Sequence, residues 1–215
     1  MNESRTILQQ GELDGFCLLY AVLNAFSAVY PKKIELSQQQ ELWSRLISVT
    51  PSLQEFASSG STFRELPNNE IDIAIKRSLL GQYGSVLSDW LKSEAQSSMS
   101  QISIEPISAD TPTWYRALLS EPFSPRKAFI VCLKRRKKRP TLKYGPTNEH
   151  WIAVVGKTDK DLAVACSFTS HHLAESYRES EIIVGKQPRA FNNLIVEPLT
   201  CDHVYVGSRY QLIIS

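Results

Sequence analysis

The sequence predicts an α+β fold, in which a helical first half of the chain precedes a second half built from short antiparallel strands. Apolar residues recur at helical spacing as far as about residue 95. From residue 128 onward, the apolar segments are short, rich in β-branched residues and bounded by turn residues. Helices and strands that are separated along the chain in this way favour an α+β layout over an alternating one.

The first two helices are predicted from their apolar residues and their end signals. Residues 15–30 are apolar on nearly every side, which indicates a buried helix, and Pro31 ends it. Ser37 and Gln40 have the spacing of a capping box, which predicts a second helix through about Val49. The apolar stripe of this helix consists of Leu42, Leu46 and Ile47.

Two further helices complete the predicted first half. Residues 70–80 repeat apolar side chains at helical spacing, and Gly81 is expected to stop this helix. Residues 85–95 carry a second apolar repeat and predict a separate fourth helix. The Ser, Gly, Pro and Asn content of residues 58–69 is typical of a loop.

Short β-branched runs predict the strands of the second half. These runs are residues 128–133, 150–156 and 162–167. A final hairpin is predicted from residues 203–206 and 210–214, because Gly207 and Ser208 between them favour a turn.

The composition fits one globular domain that spans residues 1–215. The chain is 42% hydrophobic and has a net charge of +2, so nothing in its overall charge attracts nucleic acid or anionic membranes. Its first residues lack the basic and apolar regions of a secretory signal, and the longest apolar run, residues 16–26, is too short to cross a bilayer. We therefore expect a cytoplasmic protein with reduced cysteines, and delivery to a target cell as an effector is also compatible with this sequence.

Cys17 is the predicted nucleophile, because it stands at the start of the first helix. The partial positive charge of a helix N-terminus favours a thiolate, and the N–H groups there can hold a developing oxyanion. Gly15 allows a tight turn and a close approach of substrate to the backbone. Asp14 is either part of the loop that holds the oxyanion or the N-cap of this helix.

His150 is the predicted general base. It opens a predicted strand, and Trp151 beside it is expected to shield it from solvent. A histidine at a strand end can face a helix N-terminus across a cleft. There it would take the proton of a thiol and return it to the leaving group.

The order of these motifs resembles the papain-like cysteine peptidase superfamily, and bacterial C39-like peptidases in particular. The matching residues are Gln10, Asp14-Gly15-Phe16-Cys17 and, much later, His150-Trp151. The resemblance implies a nucleophile helix packed on a C-terminal antiparallel sheet and a thioester mechanism without a cofactor. It also implies that Gln10 supports the oxyanion hole. The Asp-Gly-x-Cys-Leu order is similar to that of ovarian-tumour-type deubiquitinases.

The third catalytic group differs from the family pattern. The resemblance implies an Asp or Asn one hairpin after the histidine, and here Cys166 or Ser167 occupies that place. Either the enzyme works as a dyad, or another group such as Asn148 or Asp202 orients the imidazole, or the activity is weak.

A run of six cations at residues 134–139 lies between two predicted strands. It is either a solvated loop or a surface that steers an anionic protein or peptide substrate, with Lys134, Arg135 and Arg136 nearest the predicted strand. Because no aromatic residues interleave with the cations, nucleic acid is not the expected partner.

No metal site or cofactor is predicted. The chain carries zinc-ligand residue types in its last third, but their spacing matches no compact ligand pattern. They are Cys166, His171, His172, Cys201 and His203.

Three alternative functions stay open at this point. A glutamine deamidase or acyltransferase and a ubiquitin-type isopeptidase would both use the same thiol chemistry. The third alternative is a catalytically impaired binding module that uses the basic loop, residues 134–139, to hold a partner.

Overall fold

The computed structural model describes residues 5–6, 16–50, 70–95, 101–133, 150–157, 162–165, 181–182 and 204–215. These residues form four helices and seven strands, with an antiparallel main sheet. The predicted α+β class is therefore confirmed. The helices are α1 (Cys17–Val29), α2 (Leu36–Ser48), α3 (Glu70–Ala95) and α4 (Thr111–Ser120).

The strands build two sheets of different size. They are β1 (Arg5–Thr6), β2 (Ile102–Pro106), β3 (Lys127–Leu133), β4 (His150–Lys157), β5 (Leu162–Ala165), β6 (Glu181–Ile182) and β7 (Val204–Ile214). The five-stranded sheet has the order β2-β7-β3-β4-β5, and β1 pairs with β6 in a two-stranded sheet. Strands β3, β4 and β5 match the predicted runs of β-branched residues.

Helices cover both faces of the five-stranded sheet. Alternate residues of a strand point to opposite faces, and β4 divides its side chains in this way. Trp151 and Ala153 belong to the core that contains α1, whereas Ile152 and Val154 belong to a second cluster with Trp114 of α4. Two apolar layers therefore share one sheet.

Helix α1 is buried on nearly all sides, as its composition predicts. It packs on β4 and β3, and α2 packs against its outer side. Its buried residues lie on every part of the helical surface. They are Cys17, Leu18, Leu19, Ala21, Val22, Leu23, Asn24, Ala25, Phe26 and Val29.

The capping box of α2 lies two residues earlier than predicted. The side chain of Glu35 accepts from the backbone at Gln38, and the Gln38 amide oxygen accepts from the Glu35 N–H at 3.0 Å. The predicted pair, Ser37 and Gln40, lies inside the helix. A glutamate at the N-cap can accept this bond through its longer side chain, although Ser, Thr, Asp and Asn are preferred there.

The prediction that Gly81 ends a helix is wrong, because α3 runs unbroken for 26 residues. A glycine inside a helix costs about 1 kcal/mol relative to alanine. That cost is small beside the burial of apolar side chains on both sides of it, among them Leu80, Tyr83 and Leu87. The two predicted helices are therefore one.

The predicted final hairpin is also wrong, because residues 204–214 form a single strand of 11 residues. In the pairing with β3, Arg209 lies opposite Val131 and Val204 lies opposite Leu133. Between these two pairs, β7 has four residues where β3 has one. Gly207 and Ser208 lie in this irregular stretch. The turn residues produce a bulge within a central strand rather than a chain reversal.

Candidate functional site

Cys17 is the first residue of α1 and is 3% exposed. The N-cap of the helix is Phe16, not Asp14, and the phenyl ring of Phe16 has no hydrogen-bond acceptor to cap the helix. The predicted place of Cys17 at a helix start is therefore confirmed, and its thiol lies at the surface of the apolar core.

His150 is the first residue of β4 and lies opposite Leu133 in the sheet register. Its neighbour Trp151 is 1% exposed and belongs to the same core cluster as Cys17. The helix that begins at Cys17 and the strand that begins at His150 are in direct packing contact, because α1 lies on β4.

The direction of α3 along the sheet follows from two of its contacts with β2. The hydroxyl of Ser88 hydrogen-bonds the backbone of Ile102, at the start of β2. A Cβ atom on Gly84, one turn earlier in the helix, would lie 3.4 Å from the backbone nitrogen of Ile104, further along β2. Helix α3 therefore runs opposite to β2, and its C-terminal half lies where β2 begins.

The direction of α1 follows from its contacts with α3. The rings of Phe26 and Tyr30, at the C-terminal end of α1, lie 5.7 and 5.6 Å from the ring of Trp90 in the C-terminal half of α3. The end of α1 therefore lies at the end of the sheet where β2 begins and β7 ends.

The start of α1 consequently lies at the opposite end of the sheet, where β3 ends and β4 begins. Helix α1 has 13 residues and is about 20 Å long, and the seven residues of β3 span about 23 Å. The helix is thus long enough to cross the sheet from end to end. A course along the strands would bring Cys17 toward the end of the sheet at which His150 begins β4, although 133 positions separate them in the sequence.

Trp151 and Tyr210 form an apolar wall at this end of the sheet. Their ring centroids lie 6.3 Å apart, and the Tyr210 hydroxyl donates to the carbonyl of Gly207 at 3.5 Å. Burial raises the pKa of Tyr210 to about 12, and the positive charge of Arg77 opposes that rise. Tyr210 was not among the predicted site residues, because only the pairing of β7 brings it close to Trp151.

Aromatic residues also flank the start of α1 on the side of α2. The ring of Trp43 lies 5.6 Å from that of Phe16 and 4.6 Å from that of Tyr20. All three side chains are half-buried. Cys17 thus follows directly in the chain after one ring of this half-buried aromatic cluster.

Cys132 is a second buried thiol at this end of the sheet. It lies opposite Trp151 in the register and belongs to the same cluster as Cys17. Any measurement of thiol reactivity on this protein must therefore separate Cys17 from Cys132.

Several predicted site residues lie outside the described residues. They are Gln10, Asp14, Gly15, Lys134, Arg135, Arg136, Asn148, Cys166, Ser167 and Asp202, together with the rest of the basic run at 134–139 and the zinc-ligand types His171, His172, Cys201 and His203. Among the residues that the structure does describe, no group of three or more His, Cys, Asp or Glu side chains could hold a metal ion. Within that same part of the chain, no helix has the length and apolar character needed to span a membrane.

Comparisons of the chain with protein-family models, with curated proteins and with solved structures find no match.

Proposed function

We propose that this chain is a cysteine hydrolase of the papain-like kind, which cleaves an amide or isopeptide bond with Cys17 as nucleophile and His150 as base. One observation supports the proposal above the others. The helix that starts at Cys17 packs on the strand that starts at His150.

The proposed reaction proceeds through a thioester. The imidazole of His150 takes the proton of the Cys17 thiol, and the thiolate attacks the carbonyl carbon of the substrate. The backbone N–H of Cys17 and the side chain of Gln10 hold the oxyanion. His150 then gives the proton to the leaving nitrogen, which departs as an amine. Water hydrolyses the thioester, releases the carboxylic acid and restores the thiol.

The rate of alkylation at each cysteine from pH 5 to 9 tests the proposal, with iodoacetamide as the reagent and peptide mass spectrometry as the readout. We expect Cys17 to react fast below neutral pH, because a thiolate–imidazolium pair keeps the thiol ionised there. In His150→Ala this advantage should fall at least tenfold. Cys132 in the same sample serves as the internal standard for a buried thiol.

Two controls separate chemistry from opening of the structure. Because the Cys17 side chain is 3% exposed, its alkylation also requires local opening around it. Lys157→Ala, at the other end of β4, changes the same strand without touching position 150 and should leave the pH profile of Cys17 unchanged. If Cys17 shows the ordinary thiol profile with a midpoint near pH 8.5 in every variant, the hydrolase proposal fails.

A non-catalytic binding module is the second candidate function. The burial of Cys17 favours it, because structural buried thiols are common and inert. In that case the basic run at 134–139 would hold an anionic partner. An ordinary thiol profile for Cys17 together with unchanged folding of Cys17→Ser would support this candidate over the hydrolase.

A further inference from the structure

Three residues of this chain are a serine or threonine followed directly by proline, and the structure gives them different surroundings. They are Thr50, Thr111 and Ser124. Proline-directed protein kinases modify a serine or threonine that precedes proline, whose fixed φ and missing N–H distinguish it from every other residue. The dipeptide alone makes all three residues candidate acceptors of a phosphoryl group.

Thr50 and Thr111 are closed to a kinase by their places in the fold. Thr50 is buried, and its hydroxyl donates to the Leu46 carbonyl at 2.8 Å and lies 2.7 Å from the Tyr83 hydroxyl. Thr111 is the first residue of α4, whereas a kinase cleft binds its substrate as an extended segment. Neither threonine is followed by a cation within three positions.

Ser124 lies on the surface, in the connection between α4 and β3. It is exposed, and so are Pro125 and Arg126 after it. The half-buried ring of Phe123 lies 5.7 Å from that of Phe129 and belongs to the edge of the α4 cluster. The segment is therefore anchored one residue before the serine, while the serine itself faces solvent.

The bonds and charges around Ser124 suit both a kinase and the phosphate that it would leave. The Ser124 hydroxyl accepts from the Arg126 N–H at 3.2 Å, and the Ser124 carbonyl accepts from the Lys127 N–H at 3.2 Å. Both bonds are at the long end of the range for N–H···O bonds, so a kinase can open this turn easily. Arg126 and Lys127 are both cations, and together with the Arg126 N–H they favour a phosphate dianion on the serine.

We propose that Ser124 is a phosphorylation site for a protein kinase that requires proline directly after the acceptor and a cation shortly beyond it. In the reaction, the Ser124 oxygen forms a bond to the γ-phosphorus of ATP, and the bond from that phosphorus to the bridging oxygen of ADP breaks. The hydroxyl proton passes to the catalytic base of the kinase. The products are phosphoserine and ADP. This inference is independent of the proposed hydrolase activity.

A kinase assay on the folded, full-length protein tests the proposal. The probe is a purified proline-directed kinase of the cyclin-dependent type with Mg²⁺ and ATP, and peptide mass spectrometry locates the phosphate. We expect Ser124 to be modified about tenfold faster or more than Thr50 and Thr111, because each threonine requires local unfolding first. Phosphate at either threonine in preference to Ser124 would overturn the proposal.

Substitutions around Ser124 separate recognition of this site from general reactivity of the surface. Pro125→Ala should slow the modification about tenfold or more, because alanine restores an N–H and the freedom of φ. Ser120→Ala, at an exposed serine without a following proline, should leave it unchanged. Lys127→Gln keeps the proline and should also slow the modification, and it decides the matter if Pro125→Ala does not fold. Equal modification in these two variants and in the native protein, or no phosphate at Ser124, would contradict the assignment.

Discussion

At the scale of single residues, the interior of this protein holds polar groups that are stable only when neutral and bonded. The Tyr83 hydroxyl lies 2.7 Å from that of Thr50, which also donates to the Leu46 carbonyl at 2.8 Å. Burial raises the pKa of Tyr83 well above its usual range, and the hydrogen bond between Tyr83 and Thr50 opposes this rise. Tyr83 therefore links α3 to the C-terminal end of α2 as long as its hydroxyl keeps its proton.

The buried tyrosines predict a loss of stability at alkaline pH. The pKa of Tyr210 is raised to about 12 in the folded protein, whereas an unfolded tyrosine titrates near pH 10. The folded state therefore binds more protons above pH 10, and the stability that Tyr210 contributes is present below pH 10 and is lost as pH rises toward 12.

Tyr210→Phe isolates this effect. In urea unfolding between pH 10 and 12, the slope of unfolding free energy against pH should be less steep by about 1.4 kcal/mol per pH unit in the variant. The substitution removes only a 3.5 Å hydrogen bond to Gly207, so stability at pH 7 should change little. Identical slopes for the two proteins would show that Tyr210 titrates normally.

At the scale of elements, α3 carries two glycines in different surroundings. A Cβ on Gly81 would meet nothing within 4 Å, whereas a Cβ on Gly84 would press on the backbone of β2 at 3.4 Å. Gly81 therefore has no packing role, and Gly84 permits the close approach of helix and edge strand.

A matched pair of substitutions in α3 should separate these two roles. Gly81→Ala should raise the free energy of unfolding by about 0.5–1 kcal/mol, because alanine restricts the unfolded chain and favours the helix. Gly84→Val should lower it by about 1–3 kcal/mol, because the added methyl groups force the helix from the strand. Thermal or urea unfolding measures both, and a gain of stability in Gly84→Val would contradict the close approach.

At the scale of the whole molecule, one sheet supports two apolar clusters. Adjacent residues of β3 and β4 face opposite sides, so neither the α1 cluster nor the α4 cluster can lose its order without disturbing the strands that both share. Trp90 and Trp151 report on the first cluster, and Trp114 reports on the second.

We therefore expect the described core to unfold as one cooperative unit. Leu19→Ala on α1 and Leu118→Ala on α4 remove buried side chains from different clusters and should each cost about 2–5 kcal/mol. In both variants the transitions followed by tryptophan fluorescence and by far-ultraviolet circular dichroism should coincide. A variant in which the fluorescence transition precedes the loss of secondary structure would show that the clusters unfold separately.

The elements that the sequence predicted well are those with a strong local pattern. The apolar run of α1 is too continuous for a surface helix, and the β-branched runs of β3 and β4 suit a sheet that is buried on both faces. Two of the wrong predictions rest on turn residues. Gly81 lies inside a helix, and Gly207 and Ser208 lie inside a strand, because turn propensities of about 1 kcal/mol are weaker than the burial around them.

Some features of the candidate site were likewise predictable from local sequence patterns, and others were not. That Cys17 begins a buried helix and that His150 begins a strand follow from residue order alone, since apolar periodicity and β-branched content are local properties. Two features depended on the tertiary structure: the direction of α1 across the sheet and the approach of Tyr210 to Trp151. Each arises from contacts between segments far apart in the chain, such as Phe26 with Trp90, whose free energy exists only once the layers have packed.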